Sequence, residues 1–242
     1  MNMDSETAQK LVNLNHQFYQ NFAQDFAETR QRLQPGVQKI LEELPSNIRI
    51  LDIGCGNGEL AHNLAQRDVQ CSYIGVDFSP KLVQRAREKI PASFSGTFYA
   101  LDITSKEWRE TLPRVQFDVI FAFATLHHIP SRELRGKVLD KIRHRIKPTG
   151  KFYLSNWQFL NSPRLKKRIQ PWDEIGLNRE LVDENDYLLD WRRGGRGVRY
   201  VHHFTPRELQ QLAQKSGFHV VDDFYSDGKE GNLGYYQTWK PD

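Results

Sequence analysis

The sequence predicts an α/β fold with a doubly wound, mostly parallel sheet, and three observations support this prediction. Short β-rich runs alternate with helical patterns from residue 48 onward, as in sheets that carry helices on both faces. A glycine-rich turn lies between the first of these runs and the helical pattern that follows it. The chain has 242 residues, which suits one such domain and is too short for two.

Seven segments are predicted as strands because they are short and rich in β-branched and aromatic residues. These segments are residues 48–53, 73–77, 97–100, 119–123, 152–157, 219–225 and 235–239. The last two are separated only by a short turn, so a crossover helix cannot join them and they must run antiparallel. The predicted sheet is therefore Rossmann-like, with seven strands and an antiparallel last strand.

Helices are predicted from apolar spacing and from capping residues. Residues 1–45 form a predicted N-terminal helical cap, in which a second helix starts at Pro35 and stops at Pro45. The first helix has one apolar face with spacings of three and four residues: Leu11, Leu14, Phe18, Phe22 and Phe26. Further helices are predicted to begin at capping residues: Ser79, Thr104, Ser131 and Thr205.

Residues 158–203 are predicted as an irregular, substrate-side insertion within a single domain of residues 1–242. This stretch is rich in proline and glycine and is too long for an ordinary connection. It holds two basic clusters: Arg164, Lys166, Lys167 and Arg168, and then Arg192, Arg193, Arg196 and Arg199. Guanidinium groups beside Trp191 and Tyr200 would suit single-stranded RNA. Seven acids between residues 173 and 190 dilute this charge, and a solvated surface is the alternative.

Composition excludes several classes of protein. The longest apolar run, residues 119–124, is far shorter than the roughly 20 residues that span a bilayer, so no membrane partner is expected. The N-terminus lacks the features of a secretory signal, which predicts a cytoplasmic protein. Two cysteines, Cys55 and Cys71, and eight histidines without ligand spacing predict no disulfide framework and no metal site. The net charge of +4 would permit an anionic partner.

The strongest functional signal is the glycine-rich segment at residues 51–58, Leu-Asp-Ile-Gly-Cys-Gly-Asn-Gly. Its glycines would let the backbone turn tightly and approach a ligand closely. A dinucleotide fingerprint requires a glycine at the position of Glu59, where a carboxylate would repel phosphate. The spacing therefore favours a nucleoside ligand that carries no phosphate.

Two acids end the next two predicted strands at the same edge of the sheet. Asp77 lies 19 residues beyond Gly58, where its carboxylate could accept hydrogen bonds from two ribose hydroxyls. Asp102 is similarly placed to accept from an adenine amino group, with Ile103 against the ring. The alternative is that both acids merely cap the helices that follow them.

These features resemble the class I S-adenosylmethionine-dependent methyltransferases over residues 18–239, including the segment 121–130 that resembles the family's motif beside the methyl group. The resemblance implies the same seven-stranded fold, S-adenosylmethionine (SAM) as the cofactor and S-adenosylhomocysteine as its product. It also implies a set of cofactor-binding residues: Asp52, Gly54, Cys55, Gly56, Asn57, Gly58, Asp77, Phe78, Asp102, Ile103 and Ala122.

A narrower resemblance concerns the substrate. Residues 18–30, 190–191, 199–205 and 231–236 are similar to motifs of the tRNA wobble-uridine carboxymethyl methyltransferases. The resemblance implies that the methyl acceptor is a carboxylate on a modified uridine of tRNA. It implies a catalytic role for Arg30, whereas His128 is a catalytic candidate as the base that a hydroxyl or amine acceptor would need. Substrate binding is predicted for a larger set: Tyr19, Arg30, Trp191, Arg192 and Arg199. The fork of a guanidinium binds both carboxylate oxygens, which makes Arg30 the first candidate.

Other functions remain open from the sequence. A carboxylate is already ionised at pH 7, whereas a hydroxyl or amine needs a base such as His127 or His128. The chain could thus be a small-molecule O- or N-methyltransferase with the insertion as a lid, or a non-catalytic partner protein of the same fold. Arg30 could be a surface residue, the two histidines could serve packing, and an activating subunit has no signature in the sequence.

Overall fold

The computed structural model describes residues 3–29 and 31–242. These described residues form ten strands: β1 (Ile48–Ile53), β2 (Cys71–Asp77), β3 (Gly96–Ala100), β4 (Phe117–Phe123), β5 (Ile146–Trp157), β6 (Ile169–Gln170), β7 (Asp186–Trp191), β8 (Gly197–His202), β9 (Phe218–Ser226) and β10 (Gly234–Pro241). The α-helices are α1 (Ser5–Asn21), α2 (Ala23–Glu28), α3 (Pro35–Glu42), α4 (Glu59–Gln66), α5 (Pro80–Lys89), α6 (Trp108–Thr111), α7 (Arg132–Arg145), α8 (Pro163–Lys166) and α9 (Pro206–Lys215). In the described ranges, none of these helices combines the length and the apolar character that a membrane crossing requires.

The central sheet has seven strands in the order β3-β2-β1-β4-β5-β10-β9. The five strands from β3 to β5 pair in parallel, whereas β10 is antiparallel to both of its neighbours. The predicted Rossmann-like fold with its antiparallel last strand is therefore confirmed.

Both faces of this sheet are covered by apolar residues, as a parallel sheet requires. Ile120 and Phe121 are neighbours on β4 and point to opposite faces, yet each is completely buried in a different core cluster. On β5, Phe152 and Tyr153 divide between the same two clusters. The sheet edge that carries the ends of the parallel strands is thus held between two packed layers.

Three of the four predicted helix caps are confirmed. The side chains of Ser79, Ser131 and Thr205 each accept a hydrogen bond from a backbone N–H in the first turn of α5, α7 or α9. The predicted cap at Thr104 is wrong, because α6 begins only at Trp108. Thr104 instead donates its N–H and its hydroxyl to the Asp102 carboxylate, each at 2.7 Å, and this turn replaces the predicted helix start.

The insertion is more regular than predicted, because β6, β7 and β8 form a second, antiparallel sheet. The glycines that suggested irregular structure mark a hairpin: Gly194 and Gly195 have φ of 68° and 136° in the turn between β7 and β8. Glycine adopts such values without a steric penalty.

Hydrogen bonds join β8 to both α1 and α9. The Asn15 side chain of α1 accepts from the Tyr200 N–H at 2.8 Å and donates to the Tyr200 carbonyl at 3.2 Å. The His202 ring lies between the carboxylates of Asp186 and Glu208, at 2.6 and 2.9 Å. The inward side chains of β8 are therefore fixed relative to the N-terminal helix and the central sheet.

Candidate functional site

A cavity of about 440 Å³ lies at the carboxyl edge of the parallel strands. Its lining includes residues at the ends of four strands: Asp52 of β1, Asp77 of β2, Phe123 of β4 and Asn156 of β5. The N-terminal helix α1 contributes the opposite wall. Open α/β sheets bind ligands at this edge, and the volume is in the range of small-molecule sites.

The glycine-rich turn after β1 is shaped by two close approaches. A Cβ on Gly54, whose φ is 77°, would lie 2.2 Å from the Thr125 hydroxyl oxygen, and one on Gly58, whose φ is 75°, would lie 2.8 Å from the Ala86 Cβ. Larger residues would therefore displace the loop after β4 or α5. The predicted residues Asp52, Gly54, Cys55 and Asn57 line the cavity.

Asp77 supports this turn and also faces the cavity. One of its carboxylate oxygens accepts the Gly56 N–H at 3.0 Å, and the other accepts the Ser79 N–H at 2.9 Å. Burial raises the pKa of Asp77 to about 6, although these hydrogen bonds act in the opposite direction. Each oxygen retains a second lone pair, so the carboxylate can also accept from a ligand.

Asp52 is a second buried acid in the cavity wall. Its carboxylate accepts a hydrogen bond from the Tyr73 hydroxyl at 2.5 Å. Burial raises the pKa of Asp52 to about 7, with a further contribution from the charge of Asp77, while the Tyr73 hydrogen bond lowers it. Two neighbouring carboxylates with raised pKa values favour a ligand with positive charge, because a cation stabilises their ionised forms.

Asp102 and Phe78 meet a residue that the sequence analysis did not identify, His16 of α1. The His16 ring stacks on Phe78 at a centroid distance of 4.4 Å, and its Nε2 lies 3.4 Å from an Asp102 oxygen. Burial lowers the pKa of His16, and the Asp102 charge raises it in part. A helical pattern could have found His16, because Val12, His16 and Tyr19 share the face of α1 that lines the cavity.

The part of the cavity lined by Tyr19, His128 and Arg199, here called the substrate half, contains a chain of hydrogen bonds. Arg199 donates to the Tyr19 hydroxyl at 3.4 Å, and that hydroxyl lies 2.8 Å from His128 Nε2. The other ring nitrogen, His128 Nδ1, lies 3.2 Å from the Tyr200 carbonyl. Because a carbonyl only accepts, Nδ1 carries the proton and Nε2 accepts from Tyr19 when the ring is neutral.

Arg199 is buried, with 6% of its surface exposed, and it lines the cavity. Its guanidinium lies 5.1 to 5.7 Å from the rings of Phe18, Trp157 and Trp191. Its Nε has no hydrogen-bond partner, and no acidic side chain of the described ranges forms an ion pair with it. A buried cation in this state is strongly disposed to bind an anion.

Two further buried polar side chains surround this end of the cavity. Asn156 is 1% exposed, and its amide approaches His127, but neither its nitrogen nor its oxygen forms a hydrogen bond of ordinary geometry. His127 accepts from the Trp157 N–H at 3.3 Å. Burial holds the pKa of His127 well below its usual range, and the nearby charges of His128 and Arg199 lower it further. His127 is therefore neutral, and Asn156 can bind a polar group of a ligand.

Not every predicted site residue lines the cavity. Ala122 is completely buried in the core and does not line the cavity, whereas the next residue of β4, Phe123, does, because strand residues alternate between faces. Arg192 lies on the surface and pairs with Asp190 at 2.6 Å. Neither Ala122 nor Arg192 lines the cavity, and their predicted binding roles stay predictions.

The remaining predicted residues act from outside the lining or lie elsewhere. Gly56 and Gly58 shape the loop without lining the cavity, and Trp191 contacts two lining residues, Arg199 and Phe26, without lining it itself. Arg30 lies outside the described residues. Within the ranges that the structure describes, no group of three or more His, Cys, Asp or Glu side chains is placed to hold a metal ion.

A family model described as a methyltransferase domain matches residues 25–223. The chain belongs to this methyltransferase domain family. The prediction of a methyltransferase is thus confirmed, and the matched residues include the glycine-rich turn, Asp77, His128 and Arg199.

Individual relatives of this methyltransferase differ in their substrates. The chain is 30% identical to the tRNA (carboxymethyluridine(34)-5-O)-methyltransferase of Arabidopsis thaliana over 59% of this chain but only 32% of that protein. It is also 30% identical to the 27-O-demethylrifamycin SV methyltransferase of Amycolatopsis mediterranei, over 76% of this chain and 66% of that protein. Among solved structures, the DhpI-SAM-HEP complex has a similar fold, with a TM-score of 0.67 and 17% identity over 97% of this chain and 100% of that chain.

Proposed function

We propose that this methyltransferase uses SAM to methylate a carboxylate on a modified wobble uridine of tRNA. The observation that carries the proposal is the Arg199 guanidinium, which is buried in the cavity without an acidic partner among the described residues. The modified uridine is proposed as the carrier of this carboxylate on the basis of the sequence resemblance. Arg30 remains a proposed second partner of the carboxylate, on the resemblance alone.

The part of the cavity lined by Asp52, Gly54, Asp77, Phe78 and Asp102, here called the cofactor half, fits SAM. The turn at Gly54 brings backbone against the cavity wall where any Cβ would collide with Thr125. Asp77 can accept from ribose hydroxyls, and Asp102 can accept from an amino group beside the Phe78 ring. SAM carries positive charge, which suits the two buried carboxylates of Asp52 and Asp77.

Arg199 favours a carboxylate over other acceptors. A guanidinium donates two parallel hydrogen bonds to the two oxygens of a carboxylate, and it remains charged when buried. The binding of an anion would offset the cost of holding this cation away from water. A neutral hydroxyl or amine would leave the charge uncompensated, so the cavity discriminates against such acceptors.

The chemistry of a carboxylate acceptor requires little from the protein. When bound, the cofactor supplies a methyl group that moves from sulfur to a carboxylate oxygen, while the S–C electron pair stays on sulfur and no proton is transferred. The residues of this chain hold the acceptor in position and exclude water. The hydrogen-bonded state of His128 Nε2 is consistent with a reaction that uses no general base.

Aromatic rings near Arg199 suit the base of a nucleotide. Trp157, Phe26 and Phe123 line the cavity along with Arg199. Aromatic side chains stack on unpaired bases, and RNA-binding proteins recognise single-stranded loops in this way. The wobble position lies in such a loop. The Arabidopsis relative, which acts on carboxymethyluridine in tRNA according to its name, also supports the proposal.

A direct assay separates this function from methylation of a small molecule, which the Amycolatopsis relative represents. Purified protein is incubated with methyl-labelled SAM and either tRNA that contains carboxymethyluridine or a panel of metabolite acids, phenols and amines. We expect label in the tRNA that mild alkali releases as methanol, because the product is an ester. Label in a metabolite with none in tRNA would refute the proposal.

A further inference from the structure

The two basic clusters of the insertion look equivalent in the sequence but differ in their ion pairing in the structure. Three arginines of the second cluster are already neutralised by acids: Arg192 by Asp190 at 2.6 Å, Arg193 by Glu28 at 2.9 Å and Arg196 by Glu174 at 2.9 Å. The fourth, Arg199, lies inside the cavity. This cluster therefore presents little uncompensated charge to a partner.

The first cluster has no such compensation. Arg164, Lys166, Lys167 and Arg168 form no ion pair with any acidic side chain in residues 3–29 and 31–242. Arg164, Lys166 and Lys167 are exposed. Because these residues are consecutive apart from Leu165, their charges add to a local positive field.

This cluster also borders the cavity. Arg164 is one of its lining residues, as is Leu165, the buried member of α8. Leu165 packs in a cluster with Phe159, Leu189 and Val201, which fixes α8 against β7 and β8. Arg164 is both exposed and a lining residue, so the positive charges lie where the cavity opens to the surface.

We propose that α8 together with Lys167 and Arg168, here called the α8 basic surface, binds backbone phosphates of the RNA whose base enters the cavity. This inference rests on the proposed function, and it assigns the RNA contact to one of two candidate surfaces. Phosphates along a strand offer evenly spaced negative charges, and lysine and arginine bind them with release of counterions. Phosphates flanking an inserted nucleotide lie at the opening, where Arg164 connects the surface to the cavity.

Matched charge removals test this assignment. One variant combines Lys166→Gln and Lys167→Gln. The control combines Arg193→Gln and Arg196→Gln, which removes the same amount of charge from the second cluster, whose arginines are ion-paired. Arg164 is left unchanged because it lines the cavity. Binding of an anticodon stem-loop is measured by fluorescence anisotropy over a range of salt concentrations, and methylation is measured with tRNA and with free carboxymethyluridine.

We expect the α8 variant to bind RNA more weakly and to lower the slope of log affinity against log salt by about 0.7 per lost phosphate contact. Its KM for tRNA should rise, while its rate with the free nucleoside stays at the level of the unaltered protein. The control variant should match the unaltered protein in every measurement. Both variants should melt at the temperature of the unaltered protein.

Three results would overturn the assignment. The α8 variant could bind RNA as tightly as the control, the two variants could weaken binding equally, or the surface could bind polyglutamate as tightly as RNA, which would indicate an acidic protein partner. A failure of the proposed function is a different result, in which the unaltered protein methylates neither tRNA nor the free carboxymethyluridine.

Discussion

The Tyr19 hydroxyl lies 2.8 Å from Nε2 of His128, and this contact joins α1 to the turn after β4. The same hydroxyl accepts a hydrogen bond from Arg199 at 3.4 Å. Tyr19 thus connects His128, a candidate general base, with Arg199, a buried cation that could hold a carboxylate. We infer that His128 positions Tyr19 and Arg199, and that it does not remove a proton from the acceptor.

This relationship predicts a modest effect of Tyr19→Phe. The variant keeps the ring and loses the hydroxyl, so kcat/KM should fall by roughly 10-fold, about 1.4 kcal/mol, with little change in SAM affinity. At saturating SAM, the rate should be flat between about pH 7 and 9 in both proteins, because the acceptor carboxylate is ionised throughout. A rate that climbs with pH and disappears in Tyr19→Phe would instead indicate a hydroxyl acceptor with a general base.

Arg199→Met should damage the reaction far more severely. Methionine retains apolar contact with the surrounding rings but cannot donate to a carboxylate, so kcat/KM should fall by about 30- to 150-fold, roughly 2 to 3 kcal/mol. Steady-state kinetics and SAM calorimetry check this, with Arg196→Met as the control for an exposed arginine. Equal losses in SAM binding and in turnover would contradict a role for Arg199 in the substrate half.

The raised pKa values of Asp52 and Asp77, about 7 and about 6, predict a linked effect of pH. The folded protein holds these protons more tightly than the unfolded chain, so the free energy of unfolding should fall as pH rises from about 4 to about 7. SAM affinity should rise over the upper part of this interval, because its positive charge favours the ionised carboxylates.

Calorimetry near pH 6.5 in two buffers with different ionisation enthalpies measures this effect. SAM binding should release protons, and Asp52→Asn should remove the upper part of the pH dependence. A SAM affinity that falls as the pH rises would contradict this prediction.

Two glycine substitutions should have opposite effects on stability. Gly54→Ala forces a Cβ to within 2.2 Å of the Thr125 oxygen at a φ of 77°, so it should destabilise the protein by more than about 1 kcal/mol and weaken SAM binding. Gly136→Ala lies in α7 with nothing within 4 Å of the new Cβ, and it should stabilise the helix by about 0.5 to 1 kcal/mol. Urea unfolding of both variants measures the difference, and comparable losses would contradict the steric argument.

The cofactor half of the site could be predicted well from the sequence. Gly54 and Asp77 directly follow or end strands, and parallel strands bring their carboxyl ends to one edge, so local patterns were sufficient to place them. The sequence pattern did not determine which of two neighbouring residues of β4, Ala122 or Phe123, lines the cavity.

The substrate half depended on contacts between distant segments. His16 reaches Asp102 only because α1 packs over the sheet edge, and Arg199 enters the cavity only because β8 pairs with β7 in a particular register. The pairing of β7 with β8 could not be predicted, because the glycines near residue 195 indicate a turn without showing which strands it joins. No short-range pattern distinguishes Arg199 from the ion-paired Arg196.

We propose that this protein, through Arg199 and its cofactor-binding residues, methylates a carboxylate on tRNA. Nucleoside mass spectrometry of total tRNA from cells with and without this gene tests it most directly. We expect carboxymethyluridine to accumulate in the cells that lack the gene, and its methyl ester to return with the unaltered gene but not with Arg199→Met. Identical nucleoside profiles in all these cells would contradict it.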